Sequence, residues 1–159
     1  MSEQAVDLTI RKAITVRSSQ ERAFAVFCEQ MGSWWPLADK SIGTAKAETA
    51  VVEPRAGGRW YERGIDGSEC EWGRVLVYDP PSRLLLDWQI SAEWSYDPAL
   101  HTELEVRFFA EDGQHTRVEL EHRGLADAYG AGAHQMHAIF DSPGGWTGIL
   151  TGYAEAART

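Results

Sequence analysis

The sequence predicts an α+β fold in which a curved antiparallel sheet is covered by a C-terminal helix. Between residues 45 and 123, short stretches of alternating apolar and polar residues are separated by Gly- and Pro-containing turns, which is typical of strands joined by hairpins. The chain of 159 residues holds seven tryptophans, and Trp60, Trp72 and Trp88 fall within predicted strands. Because indole rings are rarely left in solvent, the sheet should cover either a packed core or an aromatic-walled cavity.

The chain begins with one predicted strand and one predicted helix. Apolar residues alternate with polar ones from Val6 to Val16, which predicts a strand with one buried face. Ser18 is followed three residues later by Glu21, the pattern of a capping box, and the helix that follows is predicted to end at Gly32. One face of this helix carries Phe24, Phe27, Cys28 and Met31.

Six further strands follow a W-W-P turn at 34–36, where proline excludes a helical conformation at the residue before it. They are predicted near 45–53, 58–65, 69–79, 82–90, 100–110 and 114–123. Trp88 shares one face of its strand with Leu84 and Leu86, whereas Asp87 and Gln89 lie on the other. The sheet is therefore predicted to be covered on one side and wet on the other.

The C-terminal segment is predicted to form the helix that covers the inner face of the sheet. Asp141 or Ser142 should cap a C-terminal helix with Pro143 in its first turn. Its apolar stripe is Trp146, Ile149, Leu150 and Tyr153. Interior glycines each cost about 1 kcal/mol relative to alanine. The small-residue strip of this helix should therefore be closely approached by backbone, ligand or another helix, and it comprises Gly145, Gly148, Gly152 and Ala156. The preceding segment, 125–141, is compatible with a weak extra helix or with a pocket lid.

Length, charge and cysteine content restrict the class of protein. A chain of 159 residues is most simply one domain, 1–159. Its formal net charge of −9, without a cluster of Lys and Arg, argues against nucleic acid or anionic lipid as a partner. No apolar stretch approaches the roughly 18 residues of a membrane span, and the N-terminus lacks the pattern of a signal peptide. Cys28 and Cys70 are expected to be free, buried thiols. We therefore expect a cytoplasmic monomer or homodimer that uses no cofactor.

His122 is the main polar candidate, because alternation along the last strand points it inward with Thr116, Val118 and Leu120. It could orient a ligand or act as an acid or base, or it could be a core histidine satisfied by one hydrogen bond. If Trp72 points inward, strict alternation brings Arg74 to the same face, where it could meet a ligand carboxylate or Glu62. A surface arginine at a strand bulge is the alternative.

No known catalytic motif stands out from the sequence. His134 and His137 with Asp141 could hold a metal on a helix, but two histidines at this spacing are common by chance and no third ligand is fixed, so no metal site is predicted. Nucleophile elbow, P-loop and dinucleotide fingerprint are all missing, which weakens a claim for an enzyme. The predicted ligand-binding residues are Trp34, Trp35, Trp60, Trp72, Arg74, Trp88, His122 and Trp146, with about half of these tryptophans expected to fill the core.

Several motifs carry a family resemblance that spans nearly the whole chain. They are A-I-T-V-R-S-S-Q-E-R-A-F at 13–24, G-S-W-W-P at 32–36, E-P-R-A-G-G-R-W-Y-E at 53–62, W-G-R-V-L-V-Y-D-P-P-S-R-L at 72–84, T-R-V-E-L-E-H-R-G at 116–124 and G-G-W at 144–146. With these motifs the chain resembles the Activator of Hsp90 ATPase homologue 1-like family of the START-like, or polyketide-cyclase, superfamily. The resemblance implies a helix-grip fold, with the sheet wrapped around a long C-terminal helix and a hydrophobic cavity between them.

Three functions follow as hypotheses from this reading. The first is binding of a small hydrophobic or aromatic molecule in the cavity, stabilised by burial of apolar area. The second is an enzyme of the cyclase, dehydratase or hydrolase type in which His122 moves a proton. The third is a protein-interaction module that acts on a chaperone, which would connect the chain to the stress response. A cavity that is open and apolar favours the first, one that is open and polar-tipped the second, and one that is filled the third.

Overall fold

The computed structural model describes residues 8–159, and seven strands form one antiparallel sheet in the order β1-β7-β6-β5-β4-β3-β2. The strands are β1 Ile10–Val16, β2 Ala47–Val52, β3 Arg59–Gly64, β4 Glu69–Asp79, β5 Arg83–Trp88, β6 Thr102–Asp112 and β7 His115–Arg123. The predicted strands and the α+β helix-grip class are confirmed. Val6, where the first strand was expected to begin, lies outside the described residues.

Five α-helices accompany the sheet within the described part of the chain. They are α1 Gln20–Glu29, α2 Met31–Trp34, α3 Leu125–Tyr129, α4 Ala133–Asp141 and α5 Gly148–Ala157. The segment 125–141 is helical, as one of the two alternatives predicted, and the end of α4 also lines the cavity described below. The cap predicted at Ser18 is wrong, because the Oγ atom of Ser19 accepts the Arg22 backbone N–H at 3.2 Å. Ser18 is buried, and its carbonyl accepts a hydrogen bond from the Thr116 hydroxyl at 3.0 Å.

The helix predicted from Asp141 or Ser142 begins after Ser142 with Pro143 in its first turn, but it is interrupted before α5. α4 continues to Asp141, and α5 begins at Gly148 after a turn over Pro143–Thr147. The break lies at Gly145, whose backbone is not helical (φ −88°, ψ −134°). A Cβ atom at Gly145 would lie 2.3 Å from the carbonyl oxygen of Phe140. The close approach predicted for the small-residue strip is thus made there by the backbone of the preceding helix.

The main core lies between the inner face of the sheet and the helices. Phe24 on α1 packs on Phe108 of β6, with ring centroids 5.1 Å apart. Tyr153 on α5 donates its hydroxyl to the Ala23 carbonyl at 2.6 Å, which fixes α5 against α1. Within residues 8–159 no helix is long and apolar enough to cross a membrane.

The outer face of the sheet is less wet than predicted. Asp87, Gln89 and Glu105 are buried there. His101 places Nδ1 2.7 Å from the Asp87 carboxylate, and the Gln89 amide donates to the Pro98 carbonyl at 3.1 Å. The loop between β5 and β6 therefore covers the end of this face, which alternation within strands could not reveal.

Candidate functional site

A cavity of about 400 Å³ lies between the sheet and the C-terminal helices. Its volume is within the range of about 300–1,000 Å³ that is typical of small-molecule sites. Four tryptophans, Trp35, Trp72, Trp88 and Trp146, form much of its wall. The rest of the apolar lining comprises Ile42, Ile90, Trp94, Ile139, Phe140 and Ile149. Exposed Asp39 and Lys40 place charged groups at its mouth.

The four wall tryptophans pack against one another. Trp35 lies 5.1 Å from Trp72 and 5.9 Å from Trp146 between ring centroids, and Trp88 lies 5.7 Å from Trp146. Tilted and edge-to-face contacts at these separations are the arrangement that aromatic rings favour. The rings therefore support each other and still leave a space between the sheet and α5.

Each wall indole is also fixed by a hydrogen bond from its N–H group. Trp35 donates to the Lys40 carbonyl at 2.9 Å, and Trp72 donates to the Glu62 carboxyl at 2.8 Å. Trp88 donates at 3.0 Å to the hydroxyl of Tyr129, which itself donates to the Ile90 carbonyl at 2.7 Å. Trp146 donates to His122 Nδ1 at 3.2 Å. Because a ring held in one orientation loses little freedom when a ligand binds, the wall is pre-organised.

Trp72 faces the cavity at a β-bulge in β4. Trp60 on β3 pairs with Gly73, and the next residue, Tyr61, pairs with Glu71, so Trp72 is the extra residue. A bulge reverses the alternation of faces that follows it. As a result Val75 enters the core, and Arg74 is exposed on the outer face.

The structure therefore shows the second alternative given for Arg74, a surface arginine at a strand bulge, and neither the inward placement nor the pairing with Glu62 is found. Glu62 is buried, and its Oε1 atom accepts both the Trp72 N–H at 2.8 Å and the Ile42 backbone N–H at 2.6 Å. One carboxyl group thus holds a wall indole and the loop at the cavity mouth. Sequence reasoning noted that Glu62 shares a face with Trp60 but did not identify these partners.

His122 points inward as predicted, but it does not line the cavity and is fully buried behind Trp146. Since an indole N–H can only donate, His122 Nδ1 must accept from Trp146. Nε2 then carries the proton and donates to the Thr102 hydroxyl at 2.9 Å, which donates to the Trp88 carbonyl at 2.9 Å. Every polar atom of the ring is satisfied, as in the core-histidine alternative.

Burial lowers the pKa of His122 from 6.5 to about 3. The unfolded chain therefore binds a proton below pH 6.5 that the folded protein does not bind until about pH 3. The stability that neutral His122 contributes is complete above pH 6.5 and is lost as the pH falls. An imidazole that stays neutral throughout this range cannot exchange a proton with a ligand near neutral pH.

We expect the free energy of unfolding to fall more steeply with acidification in the native protein than in the His122→Gln variant. Glutamine can accept from Trp146 and donate to Thr102 without titrating. The difference in slope between pH 6 and 5 should approach about 1.4 kcal/mol per pH unit. Urea denaturation at several pH values measures both slopes. The other histidines contribute equally to the slope of both proteins, so their contributions cancel in the difference. Equal slopes would show that His122 is accessible to protons in the folded state.

Trp34 and Trp60, which were also predicted to contact a ligand, belong to the core. Trp34 donates to the Val26 carbonyl at 2.8 Å, and Trp60 donates to the Met31 sulfur at 3.3 Å. Both are buried, and neither lines the cavity. Two of the six predicted tryptophans therefore fill the core, where about half had been expected.

Trp94 and Phe140 are lining residues that the predicted set omitted. Trp94 lies in the loop after β5 and Phe140 on α4, and their ring centroids are 6.5 Å apart. A tryptophan within a polar loop is a signal that sequence reasoning could have used, since such a ring needs a surface to cover. For Phe140 the helical spacing alone did not distinguish the cavity from the core.

The other titratable candidates do not form a site in the described part of the chain. No group of three His, Cys, Asp or Glu side chains there could hold a metal ion. Asp141, considered with His134 and His137, instead pairs with Lys12 at 2.8 Å. Cys70 is half-buried, where a buried thiol was expected. Its pKa is raised mainly by desolvation and to a smaller extent by the nearby Glu62 carboxyl, so it is not an activated thiol.

A curled seven-stranded sheet closed by C-terminal helices over an apolar cavity defines the START-like class with the helix-grip fold. Within that class, the chain belongs to the Activator of Hsp90 ATPase homolog 1-like protein family, which it matches over residues 17–153. No curated protein matches the chain.

Two solved structures are similar in sequence as well as fold. The anthrahydroquino-γ-pyrone synthase Txn09, solved in complex with SUM, shares 37% identity at a TM-score of 0.64, over 92% of this chain and 95% of its own. The self-sacrificing resistance protein CalC from Micromonospora echinospora shares 28% identity at a TM-score of 0.70, over 95% of this chain and 94% of its own. Protein MLL2253 from Mesorhizobium loti, at 13% identity and a TM-score of 0.65 over 92% of this chain and 94% of its own, shows the fold alone.

Proposed function

We propose that this protein binds a planar aromatic small molecule in the cavity between the sheet and the C-terminal helices. The observation that carries the proposal is the cavity of about 400 Å³ with four indole rings locked in its wall. Burial of ligand surface against such a wall contributes about 25 cal/mol per Å² of apolar area. An interaction module that acts on a chaperone does not require an internal space, so the open cavity favours a small ligand over that hypothesis.

The similarity to Txn09 supports the choice of ligand class. That protein is named as a synthase of an anthrahydroquino-γ-pyrone, and the identity of 37% extends over nearly the whole of both chains. A fused-ring aromatic ligand would stack against flat indole faces, whereas a straight alkyl chain would leave much of those faces uncovered. We therefore expect fused-ring aromatic compounds to bind more tightly than aliphatic ones.

The expected result is that anthraquinone-2-sulfonate binds more tightly than decanoate, by about tenfold or more. Isothermal titration calorimetry of both compounds measures the difference. Ile149 lines the cavity, so Ile149→Trp should fill it and abolish binding while the far-ultraviolet circular dichroism stays native. Leu76→Trp is the matched control, because Leu76 is exposed on the outer face and the variant should bind normally. Equal binding by the two tryptophan variants would place the ligand outside the cavity.

An enzyme of the cyclase type is the second candidate, and the observation that favours it is the identity to a named synthase. The cavity-lining side chains with ionisable groups would then be Asp39 and Lys40, since His122 is sealed behind Trp146. A cyclisation by addition alone keeps the mass of its substrate, and one followed by dehydration releases one molecule of water, so an unchanged mass does not exclude turnover. Chromatographic retention and the absorption spectrum of a recovered polyketide-like ligand therefore distinguish turnover from binding. An unchanged ligand supports a carrier.

A further inference from the structure

Trp94 differs from the other six tryptophans in two respects. Its side chain is 42% exposed, whereas the others are buried. Its indole N–H donates to no acceptor among residues 8–159, whereas the other six indoles donate to a carbonyl, carboxyl, hydroxyl, imidazole or thioether of the protein. Trp94 nevertheless lines the cavity. It therefore combines an accessible ring face with an unused donor at the mouth of the site.

The backbone at Trp94 is strained. Ile90 and Tyr96 form an isolated antiparallel bridge, and the turn that they enclose is closed by Ser91 N–H to the Ser95 carbonyl at 2.8 Å and by Trp94 N–H to the Ser91 carbonyl at 2.9 Å. Trp94 has φ +60°, in the left-handed region that favours glycine or asparagine. Bulky residues held in this region cluster at ligand sites. Because glycine would suit this turn better, the indole ring and not the backbone accounts for tryptophan here.

The four wall indoles offer a ligand no free hydrogen-bond donor. Each of their N–H groups donates a hydrogen bond to an acceptor of the protein, and the four rings are Trp35, Trp72, Trp88 and Trp146. Such a wall accepts an apolar ring system, and a polar oxygen of the ligand is better placed at the mouth. There it can meet the Trp94 N–H and the exposed ammonium group of Lys40, which also lines the cavity.

We propose that Trp94 is a specificity-determining residue that covers the outer end of a fused-ring aromatic ligand and donates its N–H to an oxygen of that ligand. This inference rests on the proposed function and names the residue that selects within the ligand class. The ring contributes stacking contact, and the N–H contributes a hydrogen bond that orients the ligand. Substitutions that remove only the N–H, or both the ring and the N–H, therefore measure the two contributions separately.

The test is calorimetric titration of anthraquinone-2-sulfonate into the full chain and three variants. Trp94→Phe keeps a ring and loses the donor, and its affinity should fall about threefold. Trp94→Gly loses both and should bind about tenfold or more weakly. Its Tm should equal or exceed that of the native chain, because glycine takes the left-handed conformation without strain. Phe109→Ala, which removes an equally exposed ring from β6, should bind normally.

Each outcome decides between the two proposals. Native affinity in Trp94→Gly, with binding by the unchanged chain, overturns the role of Trp94 and leaves the cavity proposal standing. No binding by the unchanged chain overturns both. A loss of affinity in Trp94→Gly that comes with a lowered Tm would show a structural role for the ring, and that result also overturns the inference.

Discussion

Replacing Gly73 with alanine should destabilise the protein by about 3 kcal/mol or more. An added Cβ atom would lie 1.7 Å from the carbonyl oxygen of Asp87 on β5. Because this neighbour is backbone and not the end of a flexible side chain, β4 and β5 must separate to admit the methyl group. Urea denaturation of the variant and the native chain, compared through the free energy of unfolding, measures the loss.

The matched control is Gly113→Ala in the turn between β6 and β7. A Cβ atom there meets nothing within 4 Å, and the backbone is not in the left-handed region. Its effect on stability should stay within about 0.5 kcal/mol. A similar small effect at Gly73 would mean that the strands can shift apart without cost. Gly73 pairs with Trp88 and follows Trp72, so their separation should also open the cavity wall and weaken the binding of anthraquinone-2-sulfonate.

The sheet could be predicted because its signal is local. Along β6, Leu104, Val106 and Phe108 alternate with charged residues, and a period of two is readable from any half-buried strand. Turn residues between the strands then fix the hairpin order. The same reasoning gave Trp72 and Trp88 to the inner face, where both line the cavity.

The sequence suggested that alternation could fail at Arg74 but could not decide whether it does. The bulge at Trp72 sends Arg74 outward, and its position depends on pairing with β3 and not on residues 69–79 alone. The break at Gly145 is similar, because it reflects how closely the turn after α4 approaches the carbonyl groups of Ile139 and Phe140. Local periodicity predicts faces well until contacts between elements add a residue or break a helix.

The hydrogen-bond partners of buried polar groups also could not be predicted from the sequence. His122 was placed on the correct face, yet its role depends on Trp146 and Thr102, which lie 24 and 20 residues away along the chain. Glu62 depends likewise on an indole from the next strand and on the backbone of the mouth loop. Such contacts are set by tertiary packing, so only the structure separates a satisfied core histidine from a group available to a ligand.

Removing the Glu62 carboxyl group should both destabilise the fold and weaken ligand binding. In Glu62→Ala the N–H groups of Trp72 and Ile42 lose their common acceptor, and each unsatisfied donor costs about 1–3 kcal/mol. For the two donors together, the free energy of unfolding should therefore fall by about 2–6 kcal/mol. The Trp72 ring and the mouth loop would both lose an anchor, so affinity for anthraquinone-2-sulfonate should fall as well.

Glu62→Gln separates the hydrogen bonds from the charge, because its amide oxygen can still accept from Trp72 and Ile42. We expect this variant to keep most of the stability and affinity that Glu62→Ala loses. Glu48→Ala removes an exposed carboxylate from β2 and controls for the change in net charge. Binding at native affinity by folded Glu62→Ala would show that the cavity wall holds its shape without this carboxyl group. A defect in Glu62→Gln as large as in Glu62→Ala would instead assign the effect to charge, since the glutamine preserves the acceptor on which the indole and the loop both depend.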